Sequence, residues 1–223
     1  MASNDDRGEH THDHDHDHPV LKYSDDSQHD YDETGRYALM SEAMKELLIE
    51  KDVVKANEVR EYLEFMDSRG EHIGAEIIAK AWTDPGFKKK LMEDGTATMT
   101  EMGIPMAGAE LIVVENTEET HNLVVCTLCS CYPRTILGLP PDWYKSKVYR
   151  SRAVKEPRAV LQEFGTILPD NVSVRVHDSN ADMRYIVMPK RPEGTEDWSV
   201  EQLAKLVTRD SMVGVADANQ VSS

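Results

Sequence analysis

V-V-C-T-L-C-S-C-Y-P, residues 124–133, contains every cysteine of the chain: Cys126, Cys129 and Cys131. Thiols this crowded, with none elsewhere, mark a site rather than a covalent framework, because an odd count in so short a stretch cannot build one. A disulfide also needs a narrow range of Cα separations, which near neighbours reach only with strain. The spacing C-x-x-C-x-C suits one metal ion gripped by a tight turn. Cys126 and Cys129 can face the same ion. For Cys131 to join them the chain must fold back, which brings the amides of Ser130 and Cys131 close to that ion. An ion of sufficient Lewis acidity displaces an amide proton and binds the nitrogen directly. Zinc rarely does so and takes four side-chain ligands in a tetrahedral array. With no second C-x-x-C, a Cys3His zinc site would draw on a histidine such as His121 or His177. An iron–sulfur cluster, which needs about four thiolates, fits less well.

Working outward from the loop, N-L-V-V-C (122–126) and E-L-I-V-V-E (110–115) are short β-rich runs joined by a turn-like segment. The second run delivers the chain directly into the cysteines. Upstream, residues 74–82 read as an apolar-rich helix. Asp84 before Pro85 reads as an N-cap with proline at the first helical position, opening a helix that runs to Asp94 or through 96–102. Trp82 and Phe87 are expected in the core. Residues 37–51 place Leu39, Ala43, Leu47 and Leu48 near one helical stripe, and residues 56–68 do the same with Val59, Leu63 and Met66. These two helices form an arm suited to wrapping a partner. Downstream, G-L-P-P-D-W-Y-K (138–145) is a stiff turn leading to a helix over 145–164 that breaks near Pro157. Residues 172–177 and 184–189 read as a hairpin pair around D-S-N-A-D. Ser199 with Gln202 forms a capping box, 213–216 reads as a last strand, and the end frays. The order is α+β: a layered α/β catalytic domain with an N-terminal helical arm. The expected organisation is a tail over 1–36, an arm over 37–70, a metal-binding catalytic domain over 71–216 and a second tail over 217–223.

The chain has 223 residues, enough to bury a core without staples. Its net charge of −16 argues against a nucleic-acid partner, since phosphate-backbone binding needs basic surface. Mean hydropathy is −0.55, and no stretch approaches the roughly 18 apolar residues of a membrane span. The opening M-A-S-N-D-D-R-G-E-H lacks a charged region followed by an apolar one, so the expected location is the cytoplasm, where thiols stay reduced until deliberately modified. Residues 1–36 hold eleven acidic and three basic residues, half of the net charge. Within them H-T-H-D-H-D-H-D-H (10–18) alternates imidazole and carboxylate. Such a tract is either a solvated, disordered arm or a weak binder of divalent metal.

The loop V-C-T-L-C-S-C-Y-P resembles the metal loop of nitrile hydratase α subunits. The resemblance continues through A-K-A-W-T-D-P (79–85), V-V-E-N-T (113–117), H-N-L-V-V (121–125), L-G-L-P-P-D-W-Y-K (137–145), Y-R-S-R (149–152) and L-V-T-R-D-S-M-V-G-V (206–215). It implies a non-corrin cobalt(III) centre, with iron(III) as the alternative; Thr127 and Tyr132 match the cobalt type. By the same resemblance the ligands are the sulfurs of Cys126, Cys129 and Cys131 and the backbone nitrogens of Ser130 and Cys131. Cys129 and Cys131 would be oxidised to sulfinic and sulfenic acid, states on the ordinary cysteine oxidation ladder. The reaction implied is hydration of a nitrile to an amide. The metal polarises the nitrile carbon, and the Cys131 sulfenate oxygen or an activated water attacks it. Ser130 would tune the centre through a hydrogen bond within the loop. The resemblance also implies a β subunit, whose arginines hold the oxidised sulfurs, and an activator protein that loads the metal.

Two positions depart from that pattern. Arg134 stands where most of the family has a tryptophan lining the substrate pocket, and Ala107 where a pocket glutamine is common. A guanidinium at the open site favours an anion, which is similar to the γ subunit of thiocyanate hydrolase, with its C-T-L-C-S-C-Y-P-R pattern. That enzyme converts thiocyanate to carbonyl sulfide and ammonia. A reading from a different class is a non-catalytic, zinc-loaded metal carrier with the histidine tract as its capture arm.

Overall fold

The computed structural model describes residues 31–221, with side chains from residue 35. Most of the tail expected over 1–36, including the histidine tract, lies outside the described residues, as do residues 222–223.

Five helices come first: α1 (Tyr31–Glu50), α2 (Ala56–Asp67), α3 (Glu71–Thr83), α4 (Pro85–Glu93) and α5 (Gly95–Glu101). Helix α1 begins at Tyr31, so the tail read over 1–36 gives way to helix before residue 37. Much of its apolar surface is uncovered among the described residues: Leu39 is 74% exposed, and Tyr37, Met44 and Leu47 are exposed as well, while Leu48 and Ile49 are half-buried. Helix α2 buries no residue completely. Burial begins at α3, where Ile77, Ile78 and Ala81 turn inward, each large aliphatic gaining about 1.5–3 kcal/mol over exposure. The Asp84 side chain accepts from the Phe87 amide at 2.9 Å, the cap that starts α4. Phe87 is buried. Trp82 is half-buried, and its indole donates to the Pro189 carbonyl at 3.0 Å.

Four strands follow, β1 (Glu110–Glu115), β2 (Thr120–Val125), β3 (Ser173–Asp178) and β4 (Met183–Met188). The pair read as a hairpin, β3 with β4, is not one. Strand β1 pairs β4 in parallel, Glu110 opposite Met183 and Glu115 opposite Met188. Strand β2 pairs β3 in parallel, Thr120 opposite Ser173 and Val125 opposite Asp178. A parallel pair cannot be closed by a tight turn and needs a crossover. Between β2 and β3 the crossover carries α6 (Arg134–Leu137), α7 (Asp142–Lys145), α8 (Lys147–Lys155) and α9 (Pro157–Glu163). The expected helix over 145–164 is therefore two, broken at Pro157.

The last elements are α10 (Val200–Ala204) and α11 (Arg209–Val213). Ser199 and Gln202 make the capping box read from the sequence. Residues 213–216 are not a strand: Val213 ends α11 and Gly214 caps it in the left-handed region. A Cβ on Gly214 would lie 2.0 Å from the Asn122 carbonyl oxygen, so the backbone there passes hard against β2. The end of the chain does not fray immediately, because Ala218 is buried and the Asn219 amide donates to the Leu206 carbonyl at 2.8 Å.

Candidate metal centre

Strand β2 is buried from His121 to Val125 and hands the chain to Cys126, which has no exposed surface. The next residue is clamped. The Thr127 amide and hydroxyl donate to the two carboxylate oxygens of Asp178 at 2.9 and 2.6 Å. Asp178 is the last residue of β3, opposite Val125, and the neighbouring Ser179 amide donates to the Val125 carbonyl at 2.7 Å. The register of the β2–β3 pair thus sets where the loop starts.

The far side of the loop rests on an aromatic cluster from the crossover. The Tyr149 hydroxyl donates to the Val124 carbonyl at 2.6 Å and the Tyr144 hydroxyl to the Cys131 carbonyl at 2.9 Å. Trp143 packs edge-on to Tyr149 and Phe164, both at 4.9 Å between centroids, and Tyr144 meets Tyr132 at 5.0 Å. Edge-to-face contacts of this kind add about 0.5–1.5 kcal/mol each beyond burial. This is the structural use of D-W-Y-K and Y-R-S-R.

Held at both ends, the loop brings its sulfurs together. Cys126 and Cys129 Sγ are 3.3 Å apart, and Cys129 and Cys131 Sγ 3.1 Å. All three lie within 4.8 Å of one another, and among the described residues they are the group of histidine, cysteine and acidic side chains able to hold a metal. With metal–sulfur bonds of about 2.3 Å, two sulfurs at a right angle to an ion lie about 3.3 Å apart, and two at a tetrahedral angle about 3.8 Å. The observed separations fit the first. Electrostatics point the same way. Hydrogen bonds from Cys131 and then Cys126 hold the Cys129 thiol below the ordinary thiol range, while burial first, and Cys129 second, push Cys131 up to about 12. One thiolate is tolerated alone; three this close require a cation.

Neither histidine proposed as a fourth zinc ligand joins them. His121 is 3% exposed and donates from Nε2 to the Gly214 carbonyl at 2.8 Å, with Nδ1 3.4 Å from the Asn116 amide nitrogen. The His177 Nε2 donates to Asn122 Oδ1 at 2.8 Å. Both belong to a buried polar network behind β2, in which Asn116 Oδ1 accepts from the Asn122 amide at 2.7 Å. Burial lowers the pKa of each histidine.

Cys129, Ser130 and Cys131 open onto a cavity of about 580 Å³. Arg134 and Ala107, the two departures from the family pattern, both line it, as does Arg184 from β4. Ala107 has φ 51°, the left-handed region. Tyr62, Phe65 and Met66 of α2 form the facing wall, so α2, read as partner-facing, also lines the cavity beside its own chain's cysteine loop. The sequence reading assigned roles to the cysteines, Ser130 and Arg134 and missed Asp178, Tyr144, Tyr149 and Arg184. D-W-Y-K and Y-R-S-R stood out in the family pattern, but nothing local showed which atoms they reach.

Comparison with known proteins gives a consistent set. The family described as "Nitrile hydratase, alpha chain" matches residues 35–216. The cobalt-containing nitrile hydratase subunit alpha of Pseudonocardia thermophila is 48% identical over 80% of this chain and 89% of its own. The thiocyanate hydrolase subunit gamma of Thiobacillus thioparus is 44% identical over 83% and 81%. A recombinant thiocyanate hydrolase with partially modified cobalt centres superposes with a TM-score of 0.77 at 42% identity, over 82% of this chain and 90% of its own. A double mutant of the Fe-type nitrile hydratase from Comamonas testosteroni Ni1 gives 0.77 at 41%, over 83% and 91%.

Proposed function

Because the chain belongs to the nitrile hydratase alpha-chain family, we propose that it is the metal-bearing subunit of an enzyme that hydrates nitriles to amides. The observation that carries this is the convergence of the three sulfurs within 4.8 Å of one another, with Cys129 and Cys131 opening onto the cavity. The ion we assign is non-corrin cobalt(III), with iron(III) as the alternative. The sulfurs of Cys126, Cys129 and Cys131 and the backbone nitrogens of Ser130 and Cys131 would hold it. Cobalt-containing relatives and the T-L and C-Y positions of the loop support cobalt.

The ion, when bound, supplies a Lewis acid that polarises the nitrile carbon. The rest falls to this chain. Cys129 and Cys131 would carry sulfinic and sulfenic oxygens; both residues line the cavity, which would put the Cys131 oxygen within reach of a nitrile held there. Ser130, which lines the same cavity, would tune the centre through a hydrogen bond within the loop. Tyr144 and Asp178 fix its two ends, and α2 lines one side of the cavity. A β subunit completes the cavity and covers the exposed apolar residues of α1, and an activator protein loads the metal. The location we assign is the cytoplasm; no helix among the described residues is long and apolar enough to cross a membrane.

Metal analysis together with mass spectrometry of the peptide spanning 126–131 tests this reading. Cobalt or iron with sulfinic and sulfenic mass additions is expected; zinc with unmodified thiols would leave the carrier reading standing instead. A second substrate, thiocyanate, is favoured by one observation, Arg134 on the cavity wall, and is checked by looking for carbonyl sulfide and ammonia.

A further inference from the structure

We propose that the cavity above the cysteine loop takes anionic organic nitriles, in which a carboxylate on an apolar body is anchored by Arg134. The inference rests on the nitrile-hydrating reading and narrows its substrate.

Two guanidiniums, Arg134 and Arg184, share the cavity with the cysteine loop. The chain has 41 acidic residues against 25 basic ones, so a carboxylate is the easiest cover to find for an arginine. Some arginines use that cover, Arg152 with Glu163 and Glu156, Arg60 with Glu64 and Arg209 with Glu71, whereas others, such as Arg158 and Arg191, are held by backbone carbonyls. Among the described residues no carboxylate pairs with Arg134 or Arg184. Arg184 is half-buried, reaches the Met183 carbonyl at 3.4 Å, and lines the cavity together with Cys131. Arg134 is exposed at the start of α6 and is among the residues lining the cavity. A planar fork binds a carboxylate in two parallel hydrogen bonds, a geometry that an ammonium or amide cannot match.

The facing wall sets the rest of the ligand. Tyr62, Phe65, Met66 and Met106 are aromatic and thioether surfaces, suited to a hydrocarbon body. A cavity of about 580 Å³ falls in the range that encloses ligands of some size. The net charge of −16 opposes anions at long range, but screening over about 8 Å at physiological salt leaves the two guanidiniums in control locally.

The test uses the metal-loaded enzyme with its partner subunit. We compare kcat/KM for 4-cyanobenzoate and its neutral counterpart 4-cyanobenzamide, include thiocyanate, and measure benzoate binding by calorimetry. The carboxylate is expected to be preferred by about tenfold or more, the ratio set by one charge-assisted pair. Arg134→Gln should remove that preference and weaken benzoate by a similar factor, and Arg134→Lys should restore part of both. Arg134 is exposed, so these variants fold. Equal kcat/KM for the two nitriles, or an Arg134→Gln loss shared alike by both with benzoate binding unchanged, overturns the proposal and gives the guanidinium to an acidic residue of the partner. If thiocyanate is consumed and neither nitrile is hydrated, the nitrile-hydrating reading fails. Benzoate then reports on the anchor alone: weakened binding in Arg134→Gln keeps the carboxylate site, and unchanged binding removes it.

Discussion

The Tyr144 hydroxyl donates to the Cys131 carbonyl at 2.9 Å, from a ring that is itself fully buried. One phenol therefore ties the last cysteine of the loop to the aromatic cluster of the crossover. Tyr144→Phe keeps the edge contacts with Trp143 and Tyr132 and leaves a carbonyl without its donor. The expected cost is about 1–3 kcal/mol, read by denaturant unfolding, together with lower metal content in the purified enzyme.

At the other end of the loop, Asp178→Asn keeps the size of the side chain but cannot accept from both the Thr127 amide and hydroxyl as the carboxylate does. Groups that orient metal ligands typically cost about 10–100-fold in affinity or activity when lost. Metal retention against a chelator should fall within that range, and turnover with it.

Cys129→Ser and Cys131→Ser each remove a sulfur from a set spaced 3.1–3.3 Å apart. Both should abolish turnover. Near-normal activity in Cys131→Ser would withdraw the sulfenate from the reaction.

Arg134→Trp replaces the guanidinium on the cavity wall with an apolar ring. Relative kcat/KM should move toward neutral nitriles. An unchanged substrate profile would mean that Arg134 does not face the substrate.

His121 gives a pH signature. Burial is the first cause of its lowered pKa, partly opposed by the bond to the Gly214 carbonyl. The folded chain holds it neutral, so an unfolded chain takes up a proton that the folded one refuses. Its contribution is full above the unfolded pKa of about 6.5 and is lost as pH falls below that value; His177 shifts in the same direction. The urea midpoint should drop between pH 7.5 and 5.5, and His121→Gln should flatten that drop even where it lowers stability overall.

The helices were legible in the sequence because their signals are local: Asp84 before Pro85, Ser199 with Gln202, and the break at Pro157 all act within one turn. The strands were legible as strands, but their pairing was not. Residues 172–177 and 184–189 are separated by a segment of turn-like composition, and proximity favours a hairpin. What overrides it is burial on β1 and β2, which draws each later strand into a parallel register far from its sequence neighbour. The site divided the same way. Three cysteines in one loop announce themselves, whereas Asp178 and Tyr144 act through bonds that only the tertiary fold creates. The run at 213–216 failed for a related reason: Gly214 takes φ 87°, which ends a helix and admits no strand.

The parallel pairing of β2 with β3 also sets an order of events. Thr127 meets Asp178 across 51 residues, so the loop is unclamped at one end until the whole crossover has closed. Closing a loop of that length is entropically costly and slow relative to local structure. A chain emerging from the ribosome with its cysteines already made still lacks the constraint that spaces them. A metal captured before closure would meet flexible thiols with no geometric preference, and the metals that bind such thiols most avidly would compete. Loading after closure would instead meet sulfurs already spaced by the fold, so the timing of metal delivery would bear on which metal is held.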